Sequence, residues 1–286
     1  MRRRKGIVTV TRISPAPRAA CPAYDFVIAP SEVARFRRLT GSATRPGPDR
    51  DEESRPVPAF FLCRALPRAV RAALREPDIR ADPAAVRHAG QVLLLRRRPG
   101  AGERLTAHAV VEAVGDYGFQ RALVLGVALR DAAGHDVAEL VTTLTTGPAV
   151  GRGRLATPPA RPPLGRPLLT WQVQVPDDLP GRYAQASGDH NPIHTDGSAA
   201  RRAGLPGVVL HGMATLQLAA AGLADRLYGG DETRWSEVRT RFARPVRPGD
   251  HIEFAVHRDD DGPLALSASV GGRPVLKDTW FTGAVA

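Results

Sequence analysis

The pattern of apolar and polar positions predicts strands in both halves of the chain and one long buried helix. Runs rich in β-branched and other apolar residues, bounded by turn residues, are typical of strands. The helix is predicted at residues 211–227, an almost continuously apolar stretch. The pattern therefore indicates an α+β protein. The predicted strands span residues 105–114, 123–129 and 137–145 in the first half and residues 239–242, 251–257 and 264–270 in the second.

The two halves also resemble each other in the order of their elements. Arg-Pro-Gly precedes one predicted strand in each half, at residues 98–100 and 247–249. Where the second half has its long helix, the first half reads AFFLCRALPRAVRAAL at residues 59–74, with Pro67 inside it. Because proline lacks a backbone donor, the first-half helix should be interrupted. A weak repeat of this kind predicts two copies of one fold.

A stretch rich in proline, glycine and arginine separates the two copies. Residues 147–167 read GPAVGRGRLATPPARPPLGRP, a composition that favours neither strand nor helix. The sequence therefore predicts a linker at 147–167, a basic N-terminal tail at 1–22, and two folded units at 23–146 and 168–286.

The best candidate for a catalytic site is the polar segment at residues 183–196, YAQASGDHNPIHTD. Its glycine, asparagine and proline do not fit together inside a helix, so a shaped loop is predicted. Asp189 and His194 could share one water there, because a carboxylate accepts hydrogen bonds and an imidazole exchanges protons near neutral pH. Asn191 adds a donor and an acceptor that could fix this water. From spacing alone, an Asx-type turn beside a surface histidine stays open as the alternative.

A second segment, residues 204–218, reads GLPGVVLHGMATLQL and leads into the predicted long helix. Amides in the first turn of a helix lack intrahelical acceptors and carry partial positive charge, so they can stabilise a developing oxyanion. Gly212 has no side chain to block that approach. The alternative is that His211 and Gly212 only allow close packing of a central helix.

The string from Tyr183 to His194 resembles the signature of the MaoC-like, or hydratase 2, branch of the hotdog superfamily. The resemblance implies a double hotdog fold and the reversible conversion of trans-2-enoyl thioesters into (R)-3-hydroxyacyl thioesters. In that family, the residues that match Asp189 and His194 add or remove water. The residue that matches Asn191 helps to hold the water, and the amide that matches Gly212 binds the thioester carbonyl. This chemistry requires neither a metal nor a redox cofactor.

The resemblance also assigns roles to the two units. It places catalysis in the hotdog at 168–286 and makes the hotdog at 23–146 a non-catalytic unit that contributes to the acyl cavity. His88-Ala89-Gly90-Gln91 is similar to a first-half phrase of larger relatives that is structural there. Arg241 and Arg244 lie near a phrase that borders the pantetheine channel in the family, so they are candidate contacts for phosphate groups. A solvated strand face is the alternative for both arginines.

Composition and charge limit the kinds of binding partner that we expect. The formal charge of +11 comes almost wholly from arginine, as coding from a GC-rich bacterial genome would produce. Basic clusters at residues 2–5 and 96–98 could contact nucleic acid, but aromatic residues make up only 5% and we find no recognised nucleic-acid-binding motif. Nucleic-acid binding is therefore not expected. A positive surface suits an acyl thioester of coenzyme A or of an acidic carrier protein.

The setting is predicted to be cytoplasmic. Cys21 and Cys63 lack metal-ligand spacing and suggest a reducing compartment. The longest apolar run, residues 207–224, contains His211 and Gln217, so no membrane span is expected. The start, MRRRKG, is not followed by the apolar core of a signal peptide. A homodimer stays open.

Two other functions use the same scaffold. A hotdog thioesterase aims water at the carbonyl carbon, usually with a carboxylate on the central helix, and residues 211–224 contain none. A non-catalytic acyl-binding partner subunit would not need Asp189, Asn191 and His194 together. Both alternatives therefore rank below the hydratase.

Overall fold

The protein is described by a computed structural model that covers residues 20–40, 56–77, 79–117, 120–148, 165–258 and 262–283. Ten antiparallel strands within these ranges form a single sheet that carries several helices. The strands are β1 (Tyr24–Val27), β2 (Arg87–Leu95), β3 (Arg104–Tyr117), β4 (Gln120–Arg130), β5 (Asp136–Pro148), β6 (Leu169–Gln174), β7 (Glu237–Phe242), β8 (His251–Arg258), β9 (Leu264–Val270) and β10 (Arg273–Thr282). The helices are α1 (Pro30–Thr40), α2 (Leu66–Ala73), α3 (Leu179–Ser187), α4 (Gly197–Arg202) and α5 (Gly212–Tyr228).

The sheet repeats one topology in each half. Its strand order is β1-β3-β4-β5-β2 in the first half, continued by β7-β10-β9-β8-β6 in the second. Read from the outer edge inward, strands one to five and six to ten follow the same order. The two halves meet at β2 and β7, which pair antiparallel from Gly90 opposite Arg241 to Leu94 opposite Glu237. The predicted internal repeat is therefore present as a topological repeat.

The long second-half helix is confirmed. α5 begins after His211, whose backbone is not helical, and ends at Gly229, which takes a left-handed conformation with φ of 60°. Glycine adopts that conformation without the steric cost that a Cβ brings. Leu216, Ala220 and Leu223 are fully buried in the core. The apolar character of the segment thus reflects burial of the helix within the curve of the sheet.

The first-half helix is interrupted, as predicted, but for a different local reason. A 3₁₀ segment, Ala59–Ala65, runs directly into α2. Pro67 lies in the first turn of α2, where its missing amide donor is not needed. Pro67 therefore starts the α-helix rather than kinking one. The 3₁₀ segment before it is still deeply buried, with Phe60 and Phe61 at 1% and 0% exposure.

The strands alternate as the sequence pattern predicts. In β8, Ile252, Phe254 and Val256 point inward and are buried, whereas His251 and Glu253 between and beside them are exposed. This period of two fixes which face of the sheet packs against α5. The core that results is shared by both halves of the chain.

Two predicted parts fall outside the described residues. Most of the basic tail at 1–22 and most of the linker at 147–167 belong to this group, and the three predicted domain boundaries stay predictions. Among the helices in the described part of the chain, none combines the length and the apolarity that a membrane span needs.

Candidate active site

The candidate catalytic loop is shorter than the sequence suggested. Residues from Tyr183 to Ser187 belong to α3, so the prediction that the whole segment forms a loop was wrong at its start. Gly188 ends this helix in a left-handed conformation with φ of 74°. The chain then turns through a short 3₁₀ segment, Pro192–His194, before α4 begins. Helices on both sides thus hold the ends of the loop that carries the acid and base candidates.

Asp189 forms the Asx-type turn that the sequence left open. Its Oδ1 accepts a hydrogen bond from the backbone amide of Asn191 at 3.2 Å, and its own amide donates to Ser187 Oγ at 3.2 Å. The carboxylate is half-buried. These contacts leave acceptor capacity on the carboxylate, because two oxygens offer about four lone-pair sites. A turn and an acid–base role are therefore compatible.

Asn191 ties the loop to the first half of the chain. Its Oδ1 accepts from the Ile193 amide at 3.3 Å, which caps the 3₁₀ turn. Its Nδ2 donates to the carbonyl of Pro83 at 3.2 Å. Both ends of the amide thus have protein partners, and the geometry gives Asn191 a structural task in addition to the predicted hold on water.

His194 is a buried, neutral imidazole rather than a surface histidine. Its side chain is 9% exposed, and Nδ1 lies 2.8 Å from the carbonyl of Val209. Since a carbonyl only accepts, Nδ1 carries the proton and Nε2 has a free lone pair. Burial lowers the pKa of His194 below the ordinary value, although Asp189 and the Val209 carbonyl oppose this shift. A neutral ring with an available Nε2 can accept a proton from water.

His211 is a member of the site that the sequence analysis did not include. Its Nε2 donates to the backbone carbonyl of Asp189 at 3.0 Å. Its ring stacks on His194, with ring centroids 3.6 Å apart and planes 23° apart, and Tyr183 packs on it at 5.0 Å. Burial and the neighbouring His194 lower the pKa of His211. A neutral His211 therefore stabilises the loop through its hydrogen bond to the Asp189 carbonyl and its stacking on His194.

Asp189, His194 and His211 each offer a polar atom within 4.8 Å of the others. Metal ligation would need the in-plane lone pairs of the two imidazoles to converge on one point. The two rings are stacked and almost parallel, so their lone pairs lie in separate, nearly parallel planes, which disfavours convergence on one point. The arrangement suits proton transfer better than chelation.

Gly212 lies at the first position of α5, directly after His211. Like other first-turn amides, its N–H has no acceptor within its own helix. The space that a side chain would fill is occupied, because a Cβ on Gly212 would lie 2.7 Å from Cδ1 of Phe242. Gly212 is therefore closely packed, as one interpretation from the sequence expected, and it also presents a helix-end amide, whose role as an oxyanion donor stays a prediction.

The two candidate phosphate contacts have protein partners. Arg241 forms an ion pair with Asp278 at 3.2 Å and is half-buried. Arg244 is exposed and donates to the carbonyl of Pro274 at 3.3 Å. Neither arginine is fully buried, and a guanidinium group has five N–H donors, so the contact described for each uses only part of that capacity. Their contact with phosphate stays a prediction.

Comparison with known proteins agrees with this fold. The family model for the MaoC-like domain matches residues 157–270, a range that includes the loop and α5. A 3-hydroxyacyl-thioester dehydratase Y of Mycobacterium tuberculosis is 28% identical over 231 residues, which cover 78% of this chain and 77% of the relative.

Solved structures resemble the chain over nearly its whole length. The crystal structure of a MaoC-like dehydratase from Phytophthora capsici has a TM-score of 0.75 at 21% identity, covering 97% of this chain and 98% of that one. A Mycobacterium tuberculosis protein described as having a double hotdog fold has a TM-score of 0.61 at 14% identity, covering 92% and 96% of the two chains.

The class of protein follows from the repeated strand order and these likenesses: the chain is a double hotdog. Within this fold, residues 157–270 match the MaoC-like domain. The predicted fold is thereby confirmed.

Proposed function

We propose that this protein catalyses the reversible hydration of trans-2-enoyl thioesters to (R)-3-hydroxyacyl thioesters. The observation that carries the proposal is the meeting of Asp189 with a buried, neutral His194 beside the first amide of α5. The Mycobacterium tuberculosis relative, 3-hydroxyacyl-thioester dehydratase Y, supports the same reaction class.

Each part of the site meets one need of the reaction. The water oxygen bonds to the β-carbon of the enoyl thioester while His194 Nε2 takes one of its protons. The electron pair of the double bond moves toward the carbonyl, and the Gly212 amide stabilises the negative charge on its oxygen. The protonated His194 then gives up this proton, which reaches the α-carbon with Asp189 as the partner in the transfer, so both side chains end in their starting protonation states. Water is thus added across the double bond with no net change in oxidation state.

This mechanism asks for no metal and no redox cofactor. Its substrate is an acyl thioester of coenzyme A or of an acyl carrier protein. Arg241 and Arg244 are the proposed contacts for its phosphate groups, because arginine pairs well with phosphate oxygens. Arg244→Ala should raise KM for an acyl-coenzyme A substrate more than it lowers kcat, and a change in kcat alone would count against the contact.

The first experiment follows the loss of the conjugated thioester absorbance of crotonyl-coenzyme A and of longer enoyl thioesters, with stereochemical analysis of the product. Asp189→Asn and His194→Ala should each lower turnover by about two orders of magnitude or more, because positioned proton transfer contributes that much. The matched control is His190→Ala, an exposed histidine in the same loop, which should keep wild-type turnover.

The same assay separates the other two functions. Release of free thiol without hydration would indicate a thioesterase. The only carboxylate of α5, Asp225, lies near the C-terminal end of the helix with its side chain 68% exposed, far along the helix from Gly212. Failure with both coenzyme A and carrier-bound substrates would indicate a non-catalytic acyl-binding protein and would overturn the proposal.

A further inference from the structure

The pairing of β2 with β7, which we call the seam between the two halves, places a first-half histidine close to Gly212, the candidate oxyanion donor. His88 lies on β2, the strand that pairs with β7 of the second half. Its ring packs on Phe242, the last residue of β7, with centroids 4.7 Å apart and planes 58° apart. This is a side-chain contact between the non-catalytic and the catalytic copy of the fold.

Phe242 in turn covers Gly212. A Cβ built on Gly212 would lie 2.7 Å from Cδ1, 2.9 Å from Cε1 and 2.9 Å from Cγ of the Phe242 ring. Three ring atoms therefore occupy the place of a side chain at Gly212. Since the ring rests directly on this residue, its position limits the directions from which a ligand can reach the neighbouring amide.

His88 is itself held in one orientation. Its Nε2 lies 3.1 Å from the carbonyl of Gly90 and 3.2 Å from Oε1 of Gln91. Gln91 is 2% exposed, and its own orientation is fixed, because Oε1 accepts from Thr142 at 2.8 Å and Nε2 donates to Val92 at 2.8 Å. Both neighbours of His88 Nε2 are acceptors, so this nitrogen carries the proton of the neutral ring.

The charges that influence His88 indicate that it lies beside the candidate active site. Burial lowers the pKa of His88 to about 4, while the charge of Asp189 opposes this shift and His194 adds to it. His88 therefore stays neutral at physiological pH and lies within electrostatic range of both acid–base candidates. A neutral ring is required for close packing on Phe242 without an unpaired buried charge.

We propose that His88 is a positioning residue for the hydration reaction: it holds the Phe242 ring on Gly212 and so sets the path by which the thioester carbonyl reaches the Gly212 amide. This inference rests on the proposed function. The developing oxyanion binds its donor more strongly in the transition state than in the ground state, so a displaced ring should lower kcat more than it raises KM.

The test compares His88→Ala, Phe242→Ala and the double variant in the hydration of crotonyl-coenzyme A, or of the carrier-bound thioester if that is the substrate that turns over. Complete loss of one oxyanion donor costs about 10²–10³ in kcat, and a misdirected approach should cost roughly tenfold. If His88 acts through Phe242, the double variant should be no slower than the slower single variant, because coupled residues are not additive.

A conservative variant separates positioning from folding. His88→Phe keeps an aromatic ring against Phe242, so it should recover much of the kcat that His88→Ala loses. His135→Ala, which changes a first-half histidine whose side chain is 81% exposed, is the control that should leave kcat unchanged. Thermal unfolding of each variant shows whether it is folded.

The outcomes distinguish the two proposals. An active wild type with a kcat for folded His88→Ala within about twofold of wild type, a difference of only ~0.4 kcal/mol, overturns the positioning role alone. Multiplying effects in the double variant, or no recovery by His88→Phe, also overturn it. A wild type that hydrates neither class of thioester overturns the proposed function and this inference together.

Discussion

Gly212→Ala tests the packing at the start of α5 most directly. The added Cβ would lie 2.7 Å from Phe242 Cδ1, whereas ordinary contacts begin near 3.4 Å. The ring must therefore retreat by about 0.7 Å, or the helix start must move by a similar distance. Either movement disturbs a residue that also packs on His88.

The expected cost is the difference between two terms. Overpacking of this kind typically destabilises a protein by about 1–3 kcal/mol. Alanine has a better helix propensity than glycine by up to about 1 kcal/mol, which offsets part of the cost. The free energy of unfolding of Gly212→Ala should therefore fall by roughly 1–2 kcal/mol in urea titrations.

The control is Gly181→Ala within α3, where a Cβ would meet nothing within 4 Å and the backbone is compatible with alanine. That variant should be neutral or more stable by up to about 1 kcal/mol. Combining Gly212→Ala with Phe242→Leu should restore stability relative to the sum of the single effects, by about 1 kcal/mol of coupling. Wild-type stability of Gly212→Ala together with strict additivity would refute the packing argument.

Three further predictions concern the same region. The pKa values of His88, His194 and His211 in the folded protein all lie below the ordinary 6.5, so the unfolded chain binds more protons than the folded protein below that pH. The free energy of unfolding should therefore fall as the pH drops from 6.5 toward about 4. A urea midpoint that stays constant over this pH range would contradict the prediction. Asp196→Ala removes the acceptor that caps α4 through the Ser198 and Ala199 amides and should cost about 1 kcal/mol, whereas Asp196→Asn should cost clearly less in the same urea titrations. Asn191→Ala loses both the cap of the 3₁₀ turn and the hydrogen bond to the Pro83 carbonyl. The free energy of unfolding should therefore fall by about 1–2 kcal/mol, and turnover should fall as well. Unchanged values of both would show that the loop does not depend on Asn191.

Local patterns were enough to locate most strands and the central helix. β9 coincides with its prediction at both ends, because glycine and proline bound an apolar run of strand length. β3 extends beyond its predicted end to Tyr117, where its backbone still pairs with β4 although the apolar pattern has ended. Pairing between strands, rather than residue type, decides such ends.

β2 shows what local patterns miss. Its sequence, RHAGQVLLL, begins with polar residues and has no strict alternation. It becomes a strand because it lies between β5 and β7, at the centre of the whole sheet. Both edges of β2 are paired with other strands, and these partners come from distant parts of the chain. A short segment of sequence around β2 does not include them, so it does not reveal the strand.

The same limit applies to the site. Asp189 and His194 could be predicted because both lie in one short segment with a specific pattern. His211 and His88 come from other elements, and only the packing of α5 and β2 brings them close. Their signals in the sequence, a histidine before Gly212 and a histidine three residues before Gln91, suggested packing or structural roles.

The pairing of β2 with β7 has a consequence for how the protein behaves on dilution. Two separate hotdog chains would have to associate before this seam could form, so their site would depend on protein concentration. Here both strands belong to one chain, and the high effective concentration of one half for the other replaces a bimolecular equilibrium. A residue such as Pro83 can therefore bond to Asn191 of the opposite half in every folded molecule, however few molecules are present.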